Sequence, residues 1–259
     1  MNSHGINLMS LLPLRKDASE ESEQLTQLLF GEYFEVTEQT EKWAMIKNTR
    51  DGETGWIDLK MMTPISKDLF QQLCETTHPI TKTPLSYAIN DKGENIPLPG
   101  GSILPFYNHD EASFTISGRK FHLPIKPLTT SSKHSDFVEY AMQFLHSPYL
   151  WGGKSLMGMD CSGLVQVAAS MCGILLPRNA RQQVNTGEPI DFLTEAQQGD
   201  LVFFDHDDGK ISHVGILVNN QAVLHASGEV HIAPIDHHGI RSVFTGHYSH
   251  SLRAIRRIK

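Results

Sequence analysis

In the run MDCSGLV, Asp160, Cys161 and Ser162 stand directly before a stretch, Leu164 to Leu176, that reads as a helix. Asp160 is a natural N-cap, its carboxylate accepting from the orphan amides of the first turn. That places Cys161 in the first turn, where free N–H groups and the helix dipole favour a thiolate and predict a lowered pKa. A thiolate is a nucleophile, and it needs a base within hydrogen-bond reach and a third group to orient that base. Cys74 and Cys172 lack such a setting and read as buried small apolar side chains.

Fourteen histidines compete for the role of base. In SHVGILVNNQAVLHAS, two β-like runs flank Asn219-Asn220-Gln221, a hairpin turn. A turn centred near 219 or 220 brings His213 nearly opposite His225, and facing Cβ atoms lie about 4.5–5.5 Å apart. The hairpin thus supplies a base, His213, and an orienter, His225. Eleven of the other histidines, His231 and His250 among them, read as satisfied surface or core side chains. No HExxH or CxxC pair occurs and the adjacent His237 and His238 diverge, so the spacing implies neither a metal nor a cofactor.

These groups need a scaffold, and the chain divides by pattern. Short apolar runs such as LLFGEYFEVTE, KWAMIKN and GETGWIDL, with a hairpin turn at Arg50-Asp51-Gly52, are spaced like the strands of small all-β barrels. A short helix capped by Ser66 and a second, proline-broken set of runs follow. The expected division is one barrel over 1–64, a second over 65–127 and an α+β domain over 128–259, whose first helix Ser135 caps.

The balance of 22 basic against 29 acidic residues, net charge −7, leaves no basic stripe for nucleic acid. Three cysteines cannot make a self-contained disulfide framework. The first twenty residues lack a charged n-region and an apolar h-region, and no later run approaches a membrane span. The expectation is a cytoplasmic monomer with free thiols and no membrane partner, or a periplasmic or secreted one if an export signal preceded Met1.

With Cys161 opening a helix, His213 52 residues later and His225 a further 12 on, the C-terminal half resembles the NlpC-type cell-wall peptidases, papain-like cysteine hydrolases of bacteria. PYLWGG, MDCSGLV, LPRNARQQ, GDLVFF, SHVGILV and LHAS occur in the family's order. The preceding runs resemble the bacterial Src-homology-3-like domains of one branch, the γ-D-glutamyl-L-diamino acid endopeptidases, also described as dipeptidyl peptidases. The resemblance implies two Src-homology-3-like barrels before a papain-like catalytic domain. It also implies peptidoglycan-derived muropeptides as substrates, cut between D-Glu and L-Lys or meso-diaminopimelate when the N-terminal L-Ala is free; with no export signal in the sequence, the expectation is that imported muropeptides are cut and L-Ala-D-Glu is released for reuse.

By the same resemblance Tyr149 and Trp151 line the cleft, Tyr149 steadying the oxyanion with the Cys161 amide. Glu32, in LLFGEYFEV, matches a glutamate that holds the free amino group, and Asp160 and Ser162 join it in binding substrate. Two departures stand out: Asn179-Ala180 where the branch often has Asp-Ser, and Glu53 where it commonly has tyrosine. A D,L-endopeptidase, amidase or acyltransferase working on intact wall, and an inactive wall-binding protein, are the alternatives.

Overall fold

The computed structural model describes residues 3–124, 136–205 and 209–258. The chain forms two compact units, Met1–Ser131 and Ser132–Lys259. The expected boundary at 127/128 and the expected Ser135 cap lie outside the described residues.

In the first unit, β1 (His4–Ile6), β2 (Leu11–Arg15), β3 (Gln24–Leu29), β4 (Tyr33–Gln39), β5 (Trp43–Asn48), β6 (Thr54–Asp58) and β7 (Thr63–Pro64) pair in the order β3-β2-β6-β5-β4-β1-β7. Alternation along β2 turns Leu12 and Leu14 inward onto Leu28, Phe34, Ala44, Ile46 and Ile57. The turn from β5 to β6 takes Gly52 to φ +75°, a conformation that favours glycine. α1 (Lys67–Glu75) starts at Ser66, whose hydroxyl accepts from Leu69 N–H at 3.1 Å.

Then β8 (Leu85–Asn90), β9 (Asn95–Pro99), β10 (Ser113–Ile116) and β11 (Arg119–His122) pair in the order β10-β11-β8-β9. The second barrel expected over 65–127 is not confirmed: these strands form a four-stranded sheet, in which no pairing among the described residues joins β9 to β10. Nor does it have a core of its own. Phe70 and Leu73 of α1 and Leu98, Phe114 and Phe121 of the sheet pack with Ile6, Leu8 and Phe30 in one cluster. A sheet this small has one apolar face to bury, and the first strands and α1 cover it.

The second unit begins with α2 (Phe137–Met142), which buries Phe137, Val138 and Ala141. A small hairpin, β12 (Lys154–Ser155) and β13 (Gly158–Met159), leads into α3 (Cys161–Met171), every residue of which is buried. α3 ends five residues before the expected Leu176. Gly173, at φ +82°, donates to the Ser170 carbonyl and Ile174 to that of Ala169, both at 2.9 Å, the paired bonds of a Schellman stop.

After α4 (Ala180–Gln183) come β14 (Glu188–Ile190), β15 (Leu201–Asp205), β16 (His213–Asn219), β17 (Ala222–Ser227), β18 (Glu229–Asp236), β19 (Gly239–Arg241) and β20 (Tyr248–Arg257). The sheet runs β14-β20-β15-β16-β17-β18-β19, and β19 also pairs with β20, so six strands close on themselves. β20 is long enough to hold β19 along Tyr248–Ser251 and β14 along Ile255–Arg257. Val202, Phe204, Leu217, Val223, Ala233 and Ile235 fill the interior, and α3 packs on β16 and β17.

Candidate active site

Asp160 caps α3 as its position requires, Oδ1 accepting from Gly163 N–H at 2.7 Å. Gly152 N–H donates to Oδ2 at 2.8 Å and the Ser162 hydroxyl to Oδ1 at 3.2 Å. Arg178 completes the set with two parallel bonds, 3.0 Å to Oδ1 and 2.6 Å to Oδ2, and a third to Ser162 Oγ at 2.8 Å. Asp160 and Ser162, expected to meet substrate, thus hold each other and Arg178. At 1% exposure Arg178 is among the largest fully buried side chains, and residue spacing did not single it out. The signal was present in LPRNARQQ: an arginine closing an apolar run needs an acid to be buried.

The glycines before the thiol have a packing role. A Cβ on Gly163 would overlap the Gly153 carbonyl oxygen, and one on Gly153 would overlap that of Gly158. The loop can therefore lie directly against the first turn of α3 and place Cys161.

Cys161 is buried, and the backbone N–H groups of Val214 and Ser162 donate to its sulfur. The expected lowering of its pKa does not follow. Burial, then the Asp160 carboxylate, outweighs those donors and Arg178, and the thiol is pushed up to about 12. The same Asp160 that caps the helix opposes ionisation of the thiol beside it. The other two cysteines are also corrected: Cys74 is exposed and Cys172 half-buried. Cys74 falls off the side of α1 that buries Phe70 and Leu73, and Cys172 sits at the cap of α3.

Val214 is the neighbour of His213, so the bond that holds the sulfur also brings α3 to the start of β16. His213 Nε2 and His225 Nδ1 lie 2.9 Å apart, with the rings at 86°. They are not directly opposite. The turn is Asn220-Gln221, a bulge precedes it, and the register pairing Ile216 with Leu224 puts Gly215 opposite His225. The pair meets on the diagonal because Gly215 has no side chain; a Cβ there would stand 3.3 Å from that of His225.

Burial, then the charges of His231 and His250, holds His225 far below the usual imidazole range, at about 3. An unfolded histidine titrates near 6.5. Between these values the folded chain binds fewer protons than the unfolded one, so stability falls as pH drops through that window. His225→Gln is expected to flatten the loss of Tm between about pH 6.5 and 4, measured by thermal unfolding. A loss as steep as the parent's would place the acid sensitivity elsewhere.

Tyr149 is 37% exposed, and its N–H donates to the Gly228 carbonyl at 2.8 Å. Burial, then Cys161 and Asp160, pushes its phenol up to about 12, so the hydroxyl keeps its proton and can donate. Trp151 is 59% exposed. Glu32 belongs to the first unit, where it is fully buried, accepts from Asn48 Nδ2 at 3.3 Å and faces Arg50 Nε at 3.9 Å. Asn179 is exposed and opens α4 through its carbonyl. Two histidines read as bystanders stand against the pair: His231 lies 4.5 Å from His225 and His250 4.2 Å from His213, between ring centroids. Among the described residues no group of three or more His, Cys, Asp or Glu side chains is placed to hold a metal ion. No described helix is long and apolar enough to cross a membrane.

Residues 146–250 match the NlpC/P60 family, and residues 14–61 match the bacterial dipeptidyl-peptidase Sh3 domain. Over 222 residues the chain is 30% identical to a γ-D-glutamyl-L-lysine dipeptidyl-peptidase of Bacillus subtilis, covering 78% of this chain and 71% of the relative. A protein of the same name from Bacillus cereus is 26% identical over 247 residues, 85% of this chain and 73% of that one. The crystal structure of an NlpC/P60 family protein from Bacillus cereus has a TM-score of 0.80 at 20% identity, covering 98% of this chain and 99% of that one.

Proposed function

The chain belongs to the NlpC/P60 family, and on that premise we propose that it is a cysteine peptidase that cuts the γ-D-glutamyl-L-diamino acid bond of peptidoglycan stem peptides with a free N-terminal L-Ala. The observation that carries the chemistry is the linked set of Cys161 at the start of α3, His213 beside the amide that holds its sulfur, and His225 on the His213 ring. Support for the substrate comes from the names of the Bacillus relatives.

In this reading the resting thiol is protonated, because burial and Asp160 oppose its ionisation. His213 Nε2 is engaged by His225 Nδ1, which leaves Nδ1 of His213 to take the thiol proton as sulfur attacks the γ-carbonyl. The Nε2–H of the resulting imidazolium donates to His225, whose depressed pKa keeps it a neutral acceptor. Tyr149 and the Cys161 amide donate to the oxyanion. Collapse of the tetrahedral adduct breaks the C–N bond. The amine of the diamino acid leaves with the proton from His213, and water hydrolyses the thioester with His213 again as base. A free L-Ala amine exists only after the amide joining peptide to glycan has been cut, so we place the enzyme after an amidase step, in the reuse of wall fragments.

Mass spectrometry of products from L-Ala-γ-D-Glu-L-Lys and its meso-diaminopimelate counterpart, each with a free and an acetylated N-terminus, tests this. L-Ala-D-Glu from the free peptides alone is the expected result. Cleavage of both forms at equal rates would turn the reading to an endopeptidase on intact wall, and cleavage of none to a binding protein.

A further inference from the structure

β20, the strand that closes the sheet, brings a third imidazole to the pair. His250 stacks on His213 with ring centroids 4.2 Å apart and planes 28° from parallel, while His225 meets the same ring edge-on. Phe204 of β15, which pairs with His213 on one side and Leu252 of β20 on the other, lies against both rings at 5.9 and 6.1 Å. Ser249 steers His250 in turn, its hydroxyl lying 2.8 Å from Nδ1.

The approach is built into the backbone. Gly239 of β19 has φ +144°, and a Cβ there would overlap the His250 carbonyl oxygen, so the two strands meet at this point because the residue is glycine. Sequence spacing gave His250 no role, because it is 37 residues beyond His213 and reaches it only through closure of the sheet.

An imidazole on a broad, roughly two-fold χ2 torsion does not hold its own plane. His225 bonds one edge of His213, which leaves rotation about that bond to be stopped by packing on the face. We propose that His250 is a positioning residue for the reaction: its ring lies flat on His213 and holds the plane of the base, so that Nε2 stays on His225 while Nδ1 serves the thiol. The effect is on the chemical step and not on binding, because His250 acts through His213.

The inference rests on the peptidase reading, and the test separates the two. Kinetics on the free tripeptide are compared for the parent, His250→Leu, His250→Phe and Cys161→Ala, with thermal unfolding of each. Leu fills the space without a flat face; Phe keeps the face without ring nitrogens. His250→Leu is expected to lower kcat about tenfold or more with KM within about twofold, since small misplacements of a reacting group are costly. His250→Phe is expected to return kcat to within about threefold of the parent, on the same argument. Should His250→Leu be too unstable to assay, His250→Asn, which lacks the ring, must rank below His250→Phe in the same way. Equal kcat for the ringless and ringed variants, or a change confined to KM, overturns the role of His250. Full turnover by Cys161→Ala overturns the peptidase reading and this inference with it.

Discussion

Cys161→Ala and His213→Ala are each expected to lower kcat by roughly 10³- to 10⁶-fold, and the double variant to be no worse than either alone, because nucleophile and base act as a unit. The structure makes the two losses comparable for a specific reason. A standing thiolate could attack without a base, but the thiol of Cys161 is pushed up to about 12 by burial and by Asp160, so near neutral pH it reacts only as its proton leaves. In the proposed mechanism His213, whose neighbour Val214 supplies an amide to the sulfur, takes that proton. His225→Gln, which keeps an acceptor for His213, is expected to lose less than His225→Ala. The measurements are single-turnover rates on the free tripeptide, with circular dichroism to verify folding. A His213→Ala enzyme within about tenfold of the parent would mean that the thiol ionises unaided, against the burial argument. Activity abolished by a chelator would reject the thiol mechanism.

The parts of the site legible in the sequence are those whose signals are local. Asp160 and Cys161 could be placed at a helix start because capping is decided within four residues. His213 and His225 could be paired because one turn joins their strands, although a bulge moved them from facing to diagonal. What was not legible depends on closure and burial. His250 reaches His213 only after β20 pairs with both β15 and β19. The direction of the Cys161 shift depends on how completely α3 is buried, which its apolar run implied, and on the balance of burial against the helix-end amides, which spacing does not supply. In the first unit most of the apolar runs form strands, although GENIPLPGGSILPFY does so only along Asn95–Pro99, and the sheet of β8 to β11 shares its core with α1 and the first strands, a property of the pair and not of either run. The end of α3 was readable in retrospect: Gly173 stands where a Schellman stop needs it, ahead of Ile174, Leu175 and Leu176.

Arg178→Met is expected to destabilise the second unit by about 3–5 kcal/mol, the usual cost of breaking a buried pair from one side. The side chain is fully buried, and removing its charge leaves the Asp160 carboxylate to two backbone amides and one hydroxyl. At about 2–4 °C per kcal/mol for a chain of this size, Tm falls by roughly 6–20 °C. Turnover falls too, since Arg178 ties Asp160 to Ser162 on either side of Cys161, and the loop carrying Gly152 and Gly153 is fixed through the same carboxylate. Electrostatics push the same way: Arg178 is among the groups that lower the Cys161 pKa, so its loss leaves the thiol harder to ionise. Asp160→Asn combined with Arg178→Met removes the stranded charge and is expected to recover part of the stability without recovering kcat, because an amide cannot accept at both oxygens' positions. Thermal unfolding and kcat measured on both variants separate these effects. An Arg178→Met protein as stable as the parent but with a raised KM would make Arg178 a substrate-binding residue, and the carboxylate it covers a site for the incoming peptide.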